Sequence, residues 1–171
     1  FTLEGVRAAA VQQALRLLHL IAGVSYYKAA VPGEIRIDSY AIDDATASLL
    51  ENTYVSGLGE FAYRNGLDLH GRVVFPRSAP AAAPAGAAGL RQHALVAIGG
   101  GKDSLVSIEA LRSAAVEQTV TWIGNSQLIA ACAARTELPT LNLGRAIAPE
   151  LFELNRQGAW NGHIPVTAVN S

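Results

Sequence analysis

The sequence contains no methionine and a single cysteine, Cys132. One thiol cannot close an intramolecular disulfide, so the chain fits a reducing compartment and leaves its stability to an apolar core. Half of the residues are hydrophobic, enough for a sizeable core, yet no uninterrupted apolar stretch is long enough to span a bilayer. Charge of one sign is also missing: 13 basic side chains stand against 14 acidic ones, which gives no reason to expect a nucleic-acid groove or an anionic membrane partner. No internal repeat stands out, and no cluster of side chains has metal-ligand spacing. A magnesium site would still be compatible, because that ion needs only one or two carboxylates when phosphate oxygens supply the rest.

Residues 93–110 are the most informative stretch. Leu95, Val96, Ala97 and Ile98 form a short apolar run bounded by glycine, which predicts a strand covered on both faces. Leu105, Ile108, Ala110 and Leu111 then recur at helical spacing, so the period changes across the turn between them. Gly99, Gly100 and Gly101 allow close approach of the backbone to an anion, and the free N–H groups of the helix start would face it. A bland alternative is a glycine turn capped by Asp103 or Ser104.

Two common phosphate loops are excluded. A Walker loop needs Gly-x-x-x-x-Gly-Lys-Ser/Thr, whereas Asp103 follows Lys102 and Val96 occupies the first glycine's place. A dinucleotide fingerprint needs a glycine where Ser104 stands, and no convincing acidic residue ends the next strand near Ile123. The segment instead resembles the pyrophosphate loop (PP-loop) Ser-Gly-Gly-x-Asp-Ser of enzymes that cleave ATP to AMP and pyrophosphate. Gly100, Gly101, Asp103 and Ser104 fall on that motif, Lys102 takes its variable position, and Gly99 replaces the leading serine.

Downstream, Thr119–Ile123 reads as a strand, Gly124-Asn125-Ser126 as a turn, residues 127–135 as a helix and residues 140–143 as a third strand. Such alternation predicts parallel β-α-β units with right-handed crossovers, whose ligands sit at the carboxyl ends of the strands. Upstream, residues 6–21 have helical periodicity, and Ile35 and Ile37 alternate with Arg36 and Asp38 as in a half-buried strand. Asp43 or Asp44 is expected to cap a helix over 45–54, and Val73–Phe75 reads as another strand. Lys28, Arg36 and Arg72 are isolated bases of the kind that usually stay solvated.

Three segments in order narrow the resemblance: Gly57-Leu58-Gly59-Glu60-Phe61-Ala62-Tyr63-Arg64-Asn65, the Gly99–Ser107 loop, and residues 161–171, which run Asn-Gly-His-Ile-Pro-Val-Thr-Ala-Val-Asn-Ser. Together they resemble the UDP-N-acetylmuramoyl-L-alanyl-L-glutamate epimerase family over nearly the whole chain. That resemblance implies a bacterial, cytoplasmic enzyme of peptidoglycan precursor synthesis that uses ATP and Mg2+ to invert the terminal L-glutamate of a UDP-linked muramoyl dipeptide. It implies an α/β fold: a parallel-sheet, HUP-like PP-loop nucleotide-binding domain over 92–171, an N-terminal α+β subdomain over 1–76, and a flexible linker over 77–91. Because Phe1 opens the chain without methionine and such a sheet usually needs further strands, the chain is expected to be a fragment.

The implied site residues follow position by position. Gly99, Gly100, Gly101, Lys102, Asp103, Ser104, Gly124 and Asn125 would hold ATP, with Asp103 near the metal and Lys102 supplying positive charge to the reacting phosphates. Arg64, Asn161 and His163 would contact substrate, and His163 is the leading candidate for proton transfer because imidazole titrates near working pH, with phosphate binding and a loop-stabilising hydrogen bond as its alternatives. Arg64 could equally pair with Glu60 four positions earlier. Cys132 reads as a packed helix residue, and Glu109 as a solvated one that could reach a metal. Two other readings stay open: another AMP-forming ligase or tRNA-modifying enzyme with the same loop, and a noncatalytic ATP-binding module.

Overall fold

The computed structural model describes residues 4–80 and 89–160. It divides the chain into two units, one made of Phe1–Ala88 with Ala148–Ser171 and the other of Gly89–Ile147.

The described part of the first unit is helical. Helix α1 spans Gly5–Ala22, α2 Val24–Ala30, α3 Asp44–Gly57 and α4 Gly59–Asn65. Leu17, Leu20, Ile21 and Val24 line one side of the α1–α2 stretch and pack into a core with Tyr27, Leu50, Tyr54, Leu58, Phe61 and Phe75. Tyr54 donates its hydroxyl proton to Leu20 O at 2.6 Å, so this buried hydroxyl is satisfied by a helix carbonyl. Asp43, rather than Asp44, caps α3: its carboxylate accepts the Thr46 N–H at 2.9 Å.

The expected N-terminal α+β subdomain contains no strand among the described residues. Ile35 and Ile37 do alternate with exposed neighbours, as do Val73 and Phe75 around the exposed Val74, and all four apolar side chains reach the helical core. The alternation reports one-sided burial of extended chain without a neighbouring strand. The Phe75 N–H, which a ladder would have used, donates to Glu51 Oε1 instead, at 2.9 Å. Lys28, expected to be solvated, is only 8% exposed on α2.

The segment assigned to the linker is anchored at its start. Arg77 bonds Asp44 and Glu51, and the N–H groups of Ser78 and Ala79 donate to Ile42 O at 3.2 and 3.0 Å. Toward the other end of the chain, the last described helix, α7 (Pro149–Arg156), packs with α2 of the first unit instead of extending the sheet unit. The Ala148 N–H donates to Tyr26 Oη at 3.3 Å and the Trp160 N–H to Ala29 O at 3.1 Å.

The second unit has the predicted α/β order. Strand β1 (Ala94–Ala97) leads to α5 (Lys102–Ser113), β2 (Gln118–Ile123), α6 (Gln127–Ala134) and β3 (Thr140–Leu143). The three strands are parallel in the order β1-β2-β3, with Val96 opposite Val120 and Val120 opposite Thr140. Val96, Ile98 and Val120 meet Ile108 of α5 and Ala133 of α6 in the core, and Cys132 packs against it as a partly buried side chain. Coverage on both faces of β1 is not what the structure shows: Val96 is 7% exposed and Leu95 57%. Both helices lie on one side, so only alternate residues of the strand are covered.

Candidate functional site

The apolar run of β1 ends at Ile98, which is buried, and the next three residues are glycine. Gly100 has φ +84°, a conformation that a side chain disfavours. A Cβ added at Gly99, Gly100 or Gly101 would meet nothing within 4 Å, so the loop lies open. Gly101 is the N-cap of α5 with extended backbone, and no side chain caps the first turn. The helix start therefore presents backbone N–H groups and the positive end of its dipole without a local acceptor side chain.

A turn capped by Asp103 or Ser104 would show either side chain accepting a first-turn N–H, and neither does. Ser104 Oγ donates to Gly101 O at 2.9 Å, a bond that holds the turn while leaving the hydroxyl oxygen able to accept. Asp103 and Lys102 are exposed, and their charged ends have no partner among the described residues.

The second turn stands beside the first. Since β1 and β2 are adjacent and parallel, Gly99–Ser104 and Gly124–Ser126 leave the same edge of the sheet, where parallel sheets hold ligands. Gly124 has φ +90°, and Ser126 Oγ accepts the Ile129 N–H at the start of α6. The sequence reading missed Asn142, whose Nδ2 donates to Gly124 O at 2.9 Å and Trp122 O at 3.3 Å. A polar side chain between two leucines of the third strand was its only signal.

The remaining candidates are distributed as follows. Arg64 lies on α4 of the helical unit, where Nε pairs with Glu60 Oε1 at 2.9 Å, the i,i+4 arrangement. Both partners are largely exposed, so the pair is weak and the guanidinium stays within reach of an anion. Asn161 and His163 lie outside the described residues. Glu109 pairs with Arg112 on the surface of α5. His19 Nδ1 lies 2.7 Å from Tyr40 Oη, and His70 Nδ1 2.9 Å from Asp68 Oδ1, so both imidazoles have local structural partners. Among the described residues there is no group of three or more candidate metal ligands and no helix long and apolar enough to cross a membrane. Asp103 is thus a single exposed carboxylate at the start of the helix that follows the open loop.

The family model described as the MurL N-terminal domain matches residues 1–171. A curated relative from Xanthomonas oryzae pv. oryzae (strain MAFF 311018), UDP-N-acetyl-alpha-D-muramoyl-L-alanyl-L-glutamate epimerase, is 75% identical over 171 residues, covering 100% of this chain and 38% of the relative. Proteins of the same name from Salinispora tropica (strain ATCC BAA-916 / DSM 44818 / JCM 13857 / NBRC 105044 / CNB-440) and Micromonospora sp. (strain ATCC 39149 / NRRL 15099 / SCC 1413) are 42% and 43% identical over 167 residues, covering 96% and 95% of this chain. Each of those alignments spans 36% of the relative, so the chain matches well under half the length of all three. No solved structure matches.

Proposed function

The chain belongs to the MurL N-terminal domain family, and from that membership we propose that it forms part of an ATP-dependent epimerase acting on UDP-N-acetylmuramoyl-L-alanyl-L-glutamate. The observation that carries this reading is the identity of 75% across the whole chain with a relative named for that activity. The open loop after β1 supplies a place for the nucleotide.

Chemistry explains why ATP belongs in such a reaction. The α-carboxylate of glutamate opposes removal of its own α-proton, because its negative charge disfavours a neighbouring carbanion. Transfer of AMP to that carboxylate, with release of pyrophosphate, removes the charge. A base then takes the α-proton, a proton returns to the opposite face, and water releases AMP from the acyl-adenylate to give D-glutamate.

In this reading the amides of Gly100 to Ser104 and the Ser104 hydroxyl hold the pyrophosphate portion of ATP. Lys102 adds a point cation to the phosphates, and Asp103 stands where Mg2+ on those phosphates would be met. Gly124 and Asn125 border the nucleoside portion. Arg64 offers a fork for a carboxylate or phosphate of the muramoyl dipeptide. Asn161 and His163 are assigned to substrate, and His163 to proton transfer, on their sequence context alone.

The test uses the whole protein with Mg2+, ATP and UDP-N-acetylmuramoyl-L-alanyl-L-glutamate, measuring AMP, pyrophosphate and the chirality of glutamate after hydrolysis. AMP together with D-glutamate supports activated epimerisation. AMP without inversion assigns the loop to another adenylating enzyme, and ATP binding with neither product assigns it to a binding module.

A further inference from the structure

The sheet of the second unit is finished on one side only. Right-handed crossovers that step from β1 to β2 to β3 in one direction place both connecting helices on the same face. Val96, Ile98, Val120 and Trp122 accordingly meet α5 and α6. The opposite face carries Leu95, Ala97, Thr119, Thr121, Ile123, Leu141 and Leu143 by the alternation of the pleat. Leu95 is 57% exposed, Leu141 44% and Leu143 41%. Parallel sheets are normally covered on both faces.

The β1 edge is open as well. The N–H groups of Ala94 and Ile98 donate to Glu117 O and Thr121 O of the β2 side, so the intervening alternation points the N–H groups of Leu95 and Ala97 away from β2. Natural edge strands carry a charge, a proline or a bulge that blocks further pairing. Residues 94–98, Ala-Leu-Val-Ala-Ile, carry none of these.

We propose that a segment of the whole protein lying beyond residue 171 completes this sheet, adding a strand parallel to β1 at its free edge and a helix across the face that carries Leu95 and Leu141. Handedness selects that edge. A right-handed crossover to a strand beside β3 would lay its helix on the face that α5 and α6 already occupy, whereas a crossover to the far side of β1 lays it on the bare face. The occupant is a part of the same protein for two reasons: the described helical unit contains no strand to offer, and the chain covers only 38% of the Xanthomonas relative. Strand order would then reverse at β1. Gly99–Ser104 would sit at the topological switch point, the crevice where open α/β sheets bind ligands. The proposal rests on topology and does not require the epimerase reading.

The test is made on the whole protein. A photoreactive benzoylphenylalanine placed at Leu95 is expected to cross-link within one molecule to a peptide beyond residue 171, and the same probe at Leu141 to reach the crossing helix. In the unsubstituted protein, hydrogen exchange should show the Leu95 and Ala97 amides as protected as that of Val96, a readout independent of whether the probe variants fold. Cross-links to residues 4–80 or 148–160, a product of dimer mass, or Leu95 and Ala97 amides that exchange freely while those of Thr140 and Asn142 are slow would each overturn it.

Discussion

Arg77 and Glu51 are joined as fork to fork: Nη1 lies 2.8 Å from Oε1 and Nη2 2.8 Å from Oε2. The Arg77 Nε also reaches Asp44 Oδ1 at 2.7 Å, and Glu51 Oε1 accepts the Phe75 N–H at 2.9 Å. One guanidinium thus ties the extended chain after Phe75 to the outer face of α3. Arg77→Ala should lower the unfolding free energy modestly, as expected for a solvent-screened pair with good geometry. Arg77→Lys should recover only part of that, since an ammonium cannot make the paired bonds. Urea denaturation followed by helical circular dichroism checks both; a lysine variant equal to wild type would mean that charge alone matters.

The same pair has a pH signature. Hydrogen bonding from Arg77 is the largest effect and holds the Glu51 carboxyl below its ordinary value of 4.5; burial opposes it, and the Phe75 N–H adds a smaller lowering. A carboxyl with a depressed folded value stabilises the protein fully above its unfolded value, and that contribution disappears as pH falls through the folded value. Wild type and Glu51→Gln should therefore differ most in stability near neutrality and converge as pH drops below about 4.5. A difference that stays constant from pH 7 to pH 3 would show that Glu51 acts through packing rather than charge.

Within the helical core, Tyr54→Phe should destabilise by about 1 kcal/mol, because it leaves Leu20 O without the hydroxyl donor that now lies at 2.6 Å. Gly23→Ala should have a loss of similar size. Its Cβ would come within 3.1 Å of Leu20 O and 3.2 Å of Tyr54 Oη, and both atoms belong to the same hydrogen bond. The double variant, with the hydroxyl already removed, should therefore show less than the sum of the single losses in thermal unfolding.

Local signals account for what could be read in advance. In the second unit each element announces itself by its own period, and the glycine turns mark the changes, so β1, α5, β2, α6 and β3 emerge close to their predicted bounds. The exposure of Leu95 could not be read, because an apolar run does not reveal how many faces are covered. In the first unit the period-two patterns at Ile35–Ile37 and Val73–Phe75 were legible, but their partner is a helical core. Only the bond from Phe75 N to Glu51, 24 residues apart, shows why no sheet is needed. Helix α7 carried a signal that went unused, a proline at its first turn followed by Glu150. At the site, the loop from Gly99 to Ser104 was legible as a contiguous motif, whereas Asn142 reaches Gly124 across 18 residues and had no motif to announce it.

The loop itself offers the sharpest contrast between structure and function. Gly100 has φ +84°, so Gly100→Ala forces a side chain into a left-handed conformation and should be destabilising by about 1 kcal/mol. Gly99 is not in that region and has open space around its Cβ position, so Gly99→Ser, which restores the hydroxyl of the Ser-Gly-Gly-x-Asp-Ser pattern, should fold normally. Asp103→Asn removes a charge that engages no described partner, so its stability should stay within about 0.5 kcal/mol of wild type. In the whole enzyme, AMP formation should nevertheless fall about a hundredfold or more in Asp103→Asn, because the carboxylate proposed to hold Mg2+ against the reacting phosphates is gone. Gly99→Ser should keep or raise it. Full AMP formation in Asp103→Asn would remove Asp103 from the phosphate site, and a Gly99→Ser variant that folds but fails to turn over ATP would show that the bare backbone at this position, rather than a hydroxyl, is what the nucleotide requires.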